Sequence, residues 1–211
     1  MKLYGFSRSS AAFRVRIGLN LKGLQWEGIN INLPEGDQFG DQYRGINPQG
    51  RVPTLIDGET VLYQSMAILE YLDEIQPQPP ILPSDPAARA RVRGLANVIA
   101  CDIHPLNNLA VLKFLSNEIG ATKDDVNVTW YQHWVYEGFA AIEAHLKEDS
   151  VAGMFSHGDV PGLMDICIVP QVFNAQRYQC DLEPYPLLMS IFENCMLLDA
   201  FDNAQPSKQA D

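Results

Sequence analysis

Serine and arginine side chains crowd one short segment near the start of the chain, Arg8-Ser9-Ser10-Ala11-Ala12-Phe13-Arg14-Val15-Arg16. This segment follows an apolar run at residues 3–6 and leads into a stretch that ends at Gly23. The order predicts a strand, a turn bearing hydroxyls, and a helix whose first N–H groups face the turn. Hydroxyls at the positive end of a helix suit an anion, and a thiolate is one such anion. Because serine is also an ordinary N-cap residue, the segment alone does not identify the ligand.

Two further segments could bind parts of a peptide. Val52 and Pro53 precede a predicted strand, where a proline is tolerated only at an edge or a start. A cis bond there would leave the backbone N–H and C=O of Val52 available to an extended peptide, as in strand addition. Gln64 and Ser65 open a predicted helix, so its N–H groups and the Ser65 hydroxyl could hold a carboxylate. Glutathione offers a peptide backbone, a carboxylate and a thiol, which match these three segments.

A small mixed α/β domain, predicted over residues 1–76, must position these segments. Strands are predicted at residues 2–6, 28–32, 52–57 and 60–63, the last two as a hairpin around Asp57-Gly58. The alternation of residues 15–21 would also suit a strand, but Ala11-Ala12 and the spacing of Phe13, Ile17 and Leu21 favour a helix from Ser10 to about residue 21. Ser65 is predicted to cap a second helix that runs to about residue 75. This order of elements predicts a four-stranded mixed sheet with helices packed on it.

A proline-rich segment, residues 77–85, is predicted to link this domain to an all-helical one at residues 86–211. Apolar residues recur at helical spacing beyond the linker, and Pro105 is expected to kink one long helix. Residues 163–173 are apolar on nearly every side, which predicts a core helix, and Asp165 is expected to cap it. The polar residues after Pro206 are expected to be frayed.

Composition limits the partners and the compartment. The 211 residues carry a formal net charge of −11, which argues against nucleic acid or an anionic membrane as a partner. No uninterrupted apolar run reaches the roughly 20 residues of a membrane span. Met1-Lys2-Leu3 leads straight into a strand, so we expect a cytoplasmic protein without a signal peptide. The four cysteines lack metal-binding spacing and are expected to be buried thiols, so no metal site is predicted.

Four segments of the chain together match one known family of enzymes. They are Ser9-Ser10-Ala11-Ala12-Phe13-Arg14-Val15-Arg16-Ile17, Asn47-Pro48-Gln49-Gly50-Arg51-Val52-Pro53, Asp102-Ile103-His104-Pro105-Leu106-Asn107-Asn108 and Val169-Pro170-Gln171-Val172. With them the chain resembles the cytosolic glutathione transferases, and in particular their zeta class, which includes maleylacetoacetate isomerases. The resemblance covers essentially the whole chain and implies a thioredoxin-like domain followed by a helical bundle domain. Many zeta enzymes have Ser-Ser-Cys where this chain has Ser9-Ser10-Ala11, and bacterial isomerases of the class resemble the present version.

The resemblance implies glutathione-dependent cis–trans isomerisation of maleylacetoacetate in tyrosine and phenylalanine breakdown, by reversible addition of a thiolate to the cis double bond. Ser9 would donate a hydrogen bond to the thiolate, and Arg8 and Arg177 would bind the carboxylates of a dianionic substrate. A homodimer is implied, with the stretch at Asn108 reaching the neighbouring subunit's site. The candidate cofactor contacts are Ser9, Ser10, Ala11, Gln38, Val52, Pro53, Gln64, Ser65, His104, Asn108 and Leu109.

The residues leave alternative substrates, activities and residue roles open. Maleylpyruvate could be the substrate. Basic residues at positions 109 and 110 would favour such a small dianion, but this chain has Leu109-Ala110 there, which favours the larger acetoacetate substrate. A broad zeta-class transferase could act on α-haloacids, and a binding or scaffold protein could keep the fold without turnover. His104 could instead be a histidine bonded near the Pro105 kink. Arg14 and Arg16 are expected to be structural and paired with carboxylates of the helical domain.

Overall fold

The structure is a computed structural model that describes residues 1–149 and 151–209. The chain forms two compact units within these residues. The first contains Met1–Pro80 together with the chain from Leu197 onward, and the second is Ile81–Met196. The boundary at residue 80 falls within the segment predicted as a linker.

A four-stranded mixed sheet in the order β2-β1-β3-β4 forms the centre of the first unit, which confirms the predicted fold. Strand β2 is parallel to β1, whereas β3 runs antiparallel to both β1 and β4. Thr54 is in register with both Tyr4 and Tyr63. The ends of β1 and β4 and the start of β3 therefore meet at one end of the sheet. The strands are β1 Lys2–Gly5, β2 Glu27–Asn30, β3 Thr54–Asp57 and β4 Thr60–Tyr63.

Two helices of the first unit, α1 (Ser10–Leu21) and α3 (Ser65–Ile75), begin at the serines that the sequence indicated. They pack side by side, and a Cβ on Gly18 of α1 would lie 2.3 Å from a methyl carbon of Leu69 on α3. A short helix α2 (Asp41–Arg44) and a 3₁₀ turn before it were not predicted. Leu3 and Leu55 of the sheet share a core with Val15, Leu19, Ile68 and Leu72.

The C-terminal segment, residues 197–209, corrects the predicted domain organisation, which placed it with the helical domain. It forms a short helix α10 (Asp199–Asp202) and a 3₁₀ turn, Pro206–Lys208, in the first unit. Phe201 has no exposed surface and Ala204 has 1 %, because α1 offers them an apolar surface. The expectation of frayed residues after Pro206 is wrong through Gln209, and residues 210–211 lie outside the described chain.

The second unit is all-helical, as the sequence predicted. Pro105 has no N–H to donate to the preceding turn, and residues 98–103 form a wide π-helical turn just before it. A second π-helical turn, Asp125–Gln132, precedes α7. The α-helices are α4 Pro86–Asn97, α5 His104–Leu106, α6 Leu109–Asn117, α7 His133–Glu148, α8 Leu163–Arg177 and α9 Pro186–Met196.

Helix α8 is the core helix of the second unit, with all of residues 163–172 buried. Asp165 has no exposed surface, and its carboxylate accepts the N–H groups of Gly162 at 2.7 Å and Ser156 at 2.8 Å. These bonds confirm the predicted capping role.

Within the described chain, the stretch Pro86–Asn117 is long and apolar enough to cross a membrane by length and composition, since its most apolar 18-residue window has a mean hydropathy of 1.2. The sequence predicted no such span, and charged residues such as Asp102 interrupt the apolar residues of this stretch. A single helix of this kind is weak evidence for a span, because core helices of soluble proteins pass the same test.

Candidate active site

The loops that carry the predicted residues of the first unit meet at one end of the sheet. The turn with Arg8 and Ser9 follows β1, the Val52-Pro53 segment precedes β3, and Gln64 follows β4. Because Tyr4, Thr54 and Tyr63 are in register, these three loops leave the same end. The sheet topology thus brings the three predicted segments together.

Ser9 is the N-cap of α1. Its backbone is extended, with φ −73° and ψ 118°, and its Oγ accepts the N–H of Ala12 at 3.3 Å. The backbone N–H of Ser9 donates to the carbonyl of Phe6 at 3.0 Å, which closes the turn. Since Oγ serves as an acceptor in the cap, its O–H can still donate to an anion. Capping and donation to a thiolate are therefore compatible roles.

The side chains next to Ser9 differ in exposure. Arg8 is exposed, and its guanidinium lies over the Phe6 ring, 5.3 Å from the ring centre. Ser10 is buried in the first turn of α1, and Ala11 is half-buried. Arg8 is therefore the cation of this turn that solvent and a ligand can reach.

The peptide bond between Val52 and Pro53 is cis. Among the described residues, no hydrogen bond to the backbone N–H or C=O of Val52 is found. Two buried side chains brace the loop on either side of it. The Tyr43 hydroxyl and the Asn47 amide both donate to the Arg51 carbonyl, at 2.6 and 2.9 Å, and both contact the Thr54 hydroxyl. The loop is held from behind and leaves the Val52 backbone available to a peptide.

Gln64 has a strained backbone, with φ 70° and ψ 116°, at the N-cap of α3. Strain of this kind in a residue other than glycine costs about 1–3 kcal/mol and clusters at functional sites. Gln64 is therefore the N-cap in place of the predicted Ser65, and it makes no side-chain cap hydrogen bond. The positive end of the α3 dipole lies at this end of the sheet and favours an anion. The Gln64 amide donates to Gln49 at 3.0 Å, which links this loop to the one before β3.

Arg14 of α1 contacts the start of α3, a contact that the sequence did not predict. Its Nη1 donates to the Ser65 hydroxyl at 3.3 Å, with both side chains buried. A guanidinium behind Ser65 adds positive charge at the start of α3, in addition to the helix dipole. Its spacing on α1, four residues after Ser10, could have indicated a side chain directed at this end of the sheet.

Gln38 lies beside the loop before β3. It is 8 % exposed, and its Oε1 is buried with no partner among the described residues. Gly50 approaches it so closely that a Cβ there would lie 2.9 Å from the Gln38 carbonyl oxygen. Gly50 also has a φ of +62°, which favours glycine. A buried amide oxygen without a hydrogen bond is unfavourable, and a donor on a ligand could satisfy it.

The predicted contacts of the second unit cluster where α5 meets α6. His104 begins α5 and is half-buried. Asn108 caps α6, with its Oδ1 accepting the N–H of Ala110 at 2.9 Å. Leu109, the first residue of α6, is 45 % exposed. This helix start therefore presents an apolar side chain to solvent in place of a basic one.

Arg177 ends α8, where its guanidinium is exposed and donates to Asn174 at 3.3 Å. The next residue, Tyr178, stacks on Tyr131 with ring centres 3.6 Å apart. Asn107 donates to the Tyr131 carbonyl at 3.0 Å. This chain of contacts connects the end of α8 with the turn that carries Asn108.

The protein's own thiols are poor candidates for an attacking sulfur. All four cysteines lie in the second unit, and none forms a disulfide. Burial raises the pKa of Cys180 to about 11 and raises the pKa of Cys195 still further, which keeps both thiols protonated. Cys101 is exposed, which corrects the expectation that all four are buried, because it lies on the outer side of its helical turn.

A cleft of about 400 Å³ lies elsewhere in the first unit and contains no predicted site residue. Tyr4 and Tyr43 line it, whereas Leu3 points to the opposite face of the sheet and packs in the core. The candidate site is therefore the open end of the sheet and not this cleft.

Comparison with known proteins decides the family. The model of the glutathione S-transferase N-terminal domain matches residues 8–75. A maleylpyruvate isomerase from Ralstonia sp. is 45 % identical over 100 % of this chain and 99 % of its own. A probable maleylacetoacetate isomerase from Vibrio cholerae is 44 % identical over 99 % of this chain and 97 % of its own. This chain belongs to the zeta class of the glutathione transferases. It is accordingly a glutathione-dependent isomerase.

Solved structures of this zeta class agree with that assignment. The holo structure of a bacterial maleylpyruvate isomerase has a TM-score of 0.98, with 45 % identity over 100 % of this chain and 99 % of that one. A maleylacetoacetate isomerase from Methylobacterium extorquens AM1, with bound malonate and glutathione, has a TM-score of 0.96 and 39 % identity over 100 % of this chain and 98 % of its own. A maleylacetoacetate isomerase from Anaeromyxobacter dehalogenans 2CP-1 holds dicarboxyethyl glutathione and citrate. Its TM-score is 0.88, with 41 % identity over 100 % of this chain and 96 % of its own.

The first unit of this zeta-class chain fits glutathione at three independent features. The positive end of α3, where Gln64 makes no side-chain cap, favours a carboxylate, and the Val52 backbone is available to a peptide. The buried Oε1 of Gln38 needs a donor, which glutathione can supply through its N–H groups. The residues present therefore suit this cofactor.

Proposed function

We propose that this protein isomerises maleylacetoacetate to fumarylacetoacetate, with Ser9 holding the glutathione thiolate. The observation that carries the proposal is the geometry of Ser9, whose oxygen caps α1 while its hydrogen remains to be donated. Bound glutathione supplies the thiolate that adds to the cis double bond and leaves again after rotation. The residues of the protein bind and orient the reactants and stabilise the negative charge that they carry.

Ser9 acts by favouring the ionised form of the thiol. A thiol with a pKa of about 8.5 is only a few per cent ionised at pH 7, and a lowering of about two units makes the thiolate dominant. A hydrogen bond from the Ser9 hydroxyl and the positive end of α1 both act in this direction. The rest of the cofactor would be held by the Val52 backbone, the start of α3 and Gln38.

Arg8 and Arg177 bind the carboxylates of the substrate in this proposal. Both guanidiniums are exposed, so a ligand can reach them. Arginine matches the planar geometry of a carboxylate and strengthens its hold as negative charge develops on the substrate. The malonate and citrate found in related structures are likewise small carboxylates.

The larger acetoacetate substrate is favoured by the start of α6. Leu109 is 45 % exposed there and is followed by Ala110, so this helix start adds no cation for a small dianion. Glutathione bearing a dicarboxyethyl group, as bound in one relative, is the compound that addition of its thiol across a butenedioate would give. That ligand supports reversible addition as the chemistry.

The decisive experiment combines wild-type enzyme, Ser9→Ala and Ser9→Thr with maleylacetone and glutathione. Ser9→Ala is expected to lower kcat at least about tenfold while the Kd of glutathione changes only about threefold, because one charge-assisted hydrogen bond is lost. Ser9→Thr keeps a hydroxyl and is expected to retain most activity. An unchanged kcat in Ser9→Ala would overturn the assignment of Ser9.

A control separates the loss of capping from the loss of chemistry. Asp85 caps α4 by accepting the N–H of Ala88 at 2.8 Å, and it lies outside the candidate site residues. Asp85→Ala should cost about 1 kcal/mol of folding stability, as Ser9→Ala should, with kcat unaffected.

Substrate choice is tested by comparing kcat/KM for maleylacetone and maleylpyruvate. A higher value for maleylacetone supports the proposal, and a higher value for maleylpyruvate replaces it with the alternative. Conjugation of an α-haloacid without isomerisation would identify a broad transferase, and glutathione binding without turnover would identify a scaffold protein.

We further propose that the enzyme works in tyrosine and phenylalanine breakdown, as a cytoplasmic homodimer. Edge strand β4 exposes Val61 by 41 % and Tyr63 by 55 %, which suits a surface that pairs with another subunit. Gel filtration should give about twice the chain mass of 23.6 kDa.

A further inference from the structure

Arg16 is a buried cation in α1, only 3 % exposed. Within the described chain, no carboxylate lies within ion-pair distance of it, which corrects the expectation that it pairs with the helical domain. Burial lowers the pKa of Arg16 to about 10, so the side chain remains charged at neutral pH. Burying a charge without a counter-charge is costly, and such a group needs strong hydrogen bonds.

Two backbone carbonyls supply those bonds. Nη2 of Arg16 donates to the carbonyl of Ser7 at 2.9 Å, and Nε donates to the carbonyl of Ala204 at 2.9 Å. The guanidinium also lies 5.2 Å from the ring centre of Phe13. One side chain thereby joins two segments that are nearly 200 residues apart in sequence.

The Ser7 carbonyl lies in the turn that carries Arg8 and Ser9. The turn is short, and it is also held by bonds from the Ser9 N–H to the Phe6 carbonyl at 3.0 Å and from the Phe13 N–H to the Ser9 carbonyl at 2.8 Å. The bond from Arg16 fixes the peptide two residues before Ser9. It therefore adds a hold on the start of the turn that the helix cap itself does not supply.

The Ala204 carbonyl belongs to the C-terminal segment, residues 197–209, which is itself well anchored. Ala204 is 1 % exposed and Phe201 is fully buried. Asn20 of α1 donates to the Ala200 carbonyl at 2.9 Å. The second bond of Arg16 is thus attached to a packed segment and can hold the guanidinium in place.

We propose that Arg16 is a positioning residue for the thiolate, which uses the C-terminal segment as its anchor to hold the Ser7–Ser9 turn in the orientation that lets Ser9 donate to glutathione sulfur. The inference rests on the proposed function of Ser9. The fork of an arginine can reach two carbonyls at once, whereas the single ammonium of a lysine cannot reproduce that geometry.

The test measures the pKa of the glutathione thiol on the enzyme, from the ultraviolet absorbance of the thiolate during a pH titration. Arg16→Gln removes the charge and the fork, and Arg16→Lys keeps the charge alone. We expect the thiol pKa to rise by about one unit in Arg16→Gln, with a fall in kcat of about tenfold and a KM for glutathione within about threefold. The thiol pKa should also rise in Arg16→Lys. Because this variant keeps the charge, it should remain folded even if Arg16→Gln does not.

Asn20→Ala is the matched control, since it removes a bond between α1 and the C-terminal segment without touching Ser7. It should lower Tm and leave the thiol pKa of the complex at the wild-type value. A wild-type thiol pKa in the folded Arg16 variants, or an equal shift in Asn20→Ala, would overturn the inference.

Failure of the inference and failure of the proposed function give different results. If the thiol pKa of the wild-type complex equals that of glutathione in buffer, the role of Ser9 fails and the inference falls with it. If Ser9→Ala raises the thiol pKa and the Arg16 variants do not, only the inference fails.

Discussion

The proposed role of Ser9 in chemistry is compatible with its structural role as a helix cap. The cap uses an oxygen lone pair to accept the Ala12 N–H, which holds the side chain at the start of α1. Donation to a thiolate uses the hydrogen, so neither role displaces the other. A cap of this kind also limits the rotamers of the donor, which reduces the entropy lost when the thiolate binds.

Arg177 is the residue whose removal should act on substrate binding. Arg177→Ala should raise the substrate KM about tenfold, because a charge-assisted hydrogen bond contributes about 1.5–3 kcal/mol. Steady-state kinetics with maleylacetone measures the effect. Lys147→Ala serves as a control, since Lys147 is an exposed cation of the same unit that pairs with Glu143. An unchanged KM in Arg177→Ala would remove this residue from the site.

The positions of single residues were predictable from sequence where they depend on neighbours in the chain. A proline before a strand and a serine opening a helix are marked by adjacent residues, and the sheet brings Val52, Gln64 and Ser9 to one end. The partner of Arg16 was mispredicted, because the Ala204 carbonyl that it meets is 188 residues away. The contact of Arg14 with Ser65, 51 residues away, was not anticipated. Periodicity predicts burial of a helix face, but it does not tell which distant oxygen will meet a buried guanidinium.

At the scale of elements, the loop before β3 depends on Gly50. Gly50→Ala places a methyl group 2.9 Å from the Gln38 carbonyl oxygen at a φ of +62°. Gly58 makes a matched control, because its φ is +59° and a Cβ there meets nothing within 4 Å. Both variants carry a similar backbone cost of about 1 kcal/mol.

The two glycine variants differ in steric crowding near Gln38, so comparing their glutathione affinities measures the effect of that crowding on the proposed glutathione site. Gly50→Ala should weaken glutathione binding by about threefold to tenfold and destabilise the fold more than Gly58→Ala does. Isothermal titration with glutathione and thermal unfolding measure the two effects. Equal Kd values in the two variants would show that the Gln38–Gly50 approach does not shape the site.

The cap of α8 makes stability depend on pH. Burial raises the pKa of Asp165 from 3.8 to about 6, against the lowering effect of the N–H groups of Gly162 and Ser156. Between pH 4 and pH 6 the folded state then keeps a proton that the unfolded chain has lost. The Asp165 contribution to the free energy of unfolding should fall across this window by about 3 kcal/mol and level off above it.

Chemical denaturation at several pH values between 4 and 7 tests this dependence. Asp165→Asn should be less stable than the wild-type protein. Its free energy of unfolding should also lack the fall between pH 4 and pH 6 that Asp165 causes. Asp159→Asn is a suitable comparison, because Asp159 is exposed and its carboxylate accepts the Met154 N–H at 3.0 Å. It should keep the wild-type slope, and identical slopes in all three proteins would contradict the prediction.

Elements were predictable where apolar residues or an opening serine mark them in the sequence. Apolar residues mark the strands and the core helix α8, and α1 and α3 begin at Ser10 and Ser65. Helix α2 spans four residues, which is too short for a periodic signal. The π-helical turn before Pro105 was anticipated only as a kink, because the proline indicates a lost hydrogen bond and not how the backbone recovers it.

At the scale of the whole molecule, the first unit is built from both ends of the chain. Phe201→Ala should cost about 3–5 kcal/mol of stability, since the ring is fully buried against the first unit. Leu197→Ala, four residues earlier and 82 % exposed, should cost under about 0.5 kcal/mol. Urea unfolding of both variants measures the contrast, and comparable losses would mean that Phe201 contributes little to the first unit.

The return of the chain to its first unit has a consequence for biosynthesis. Residues 197–209 are synthesised after the rest of the first unit and after the whole second unit. The sheet and α1 leave the ribosome early, yet Arg16 then has no Ala204 carbonyl to meet. Nascent chains stalled before residue 197 is synthesised should therefore remain protease-sensitive around α1.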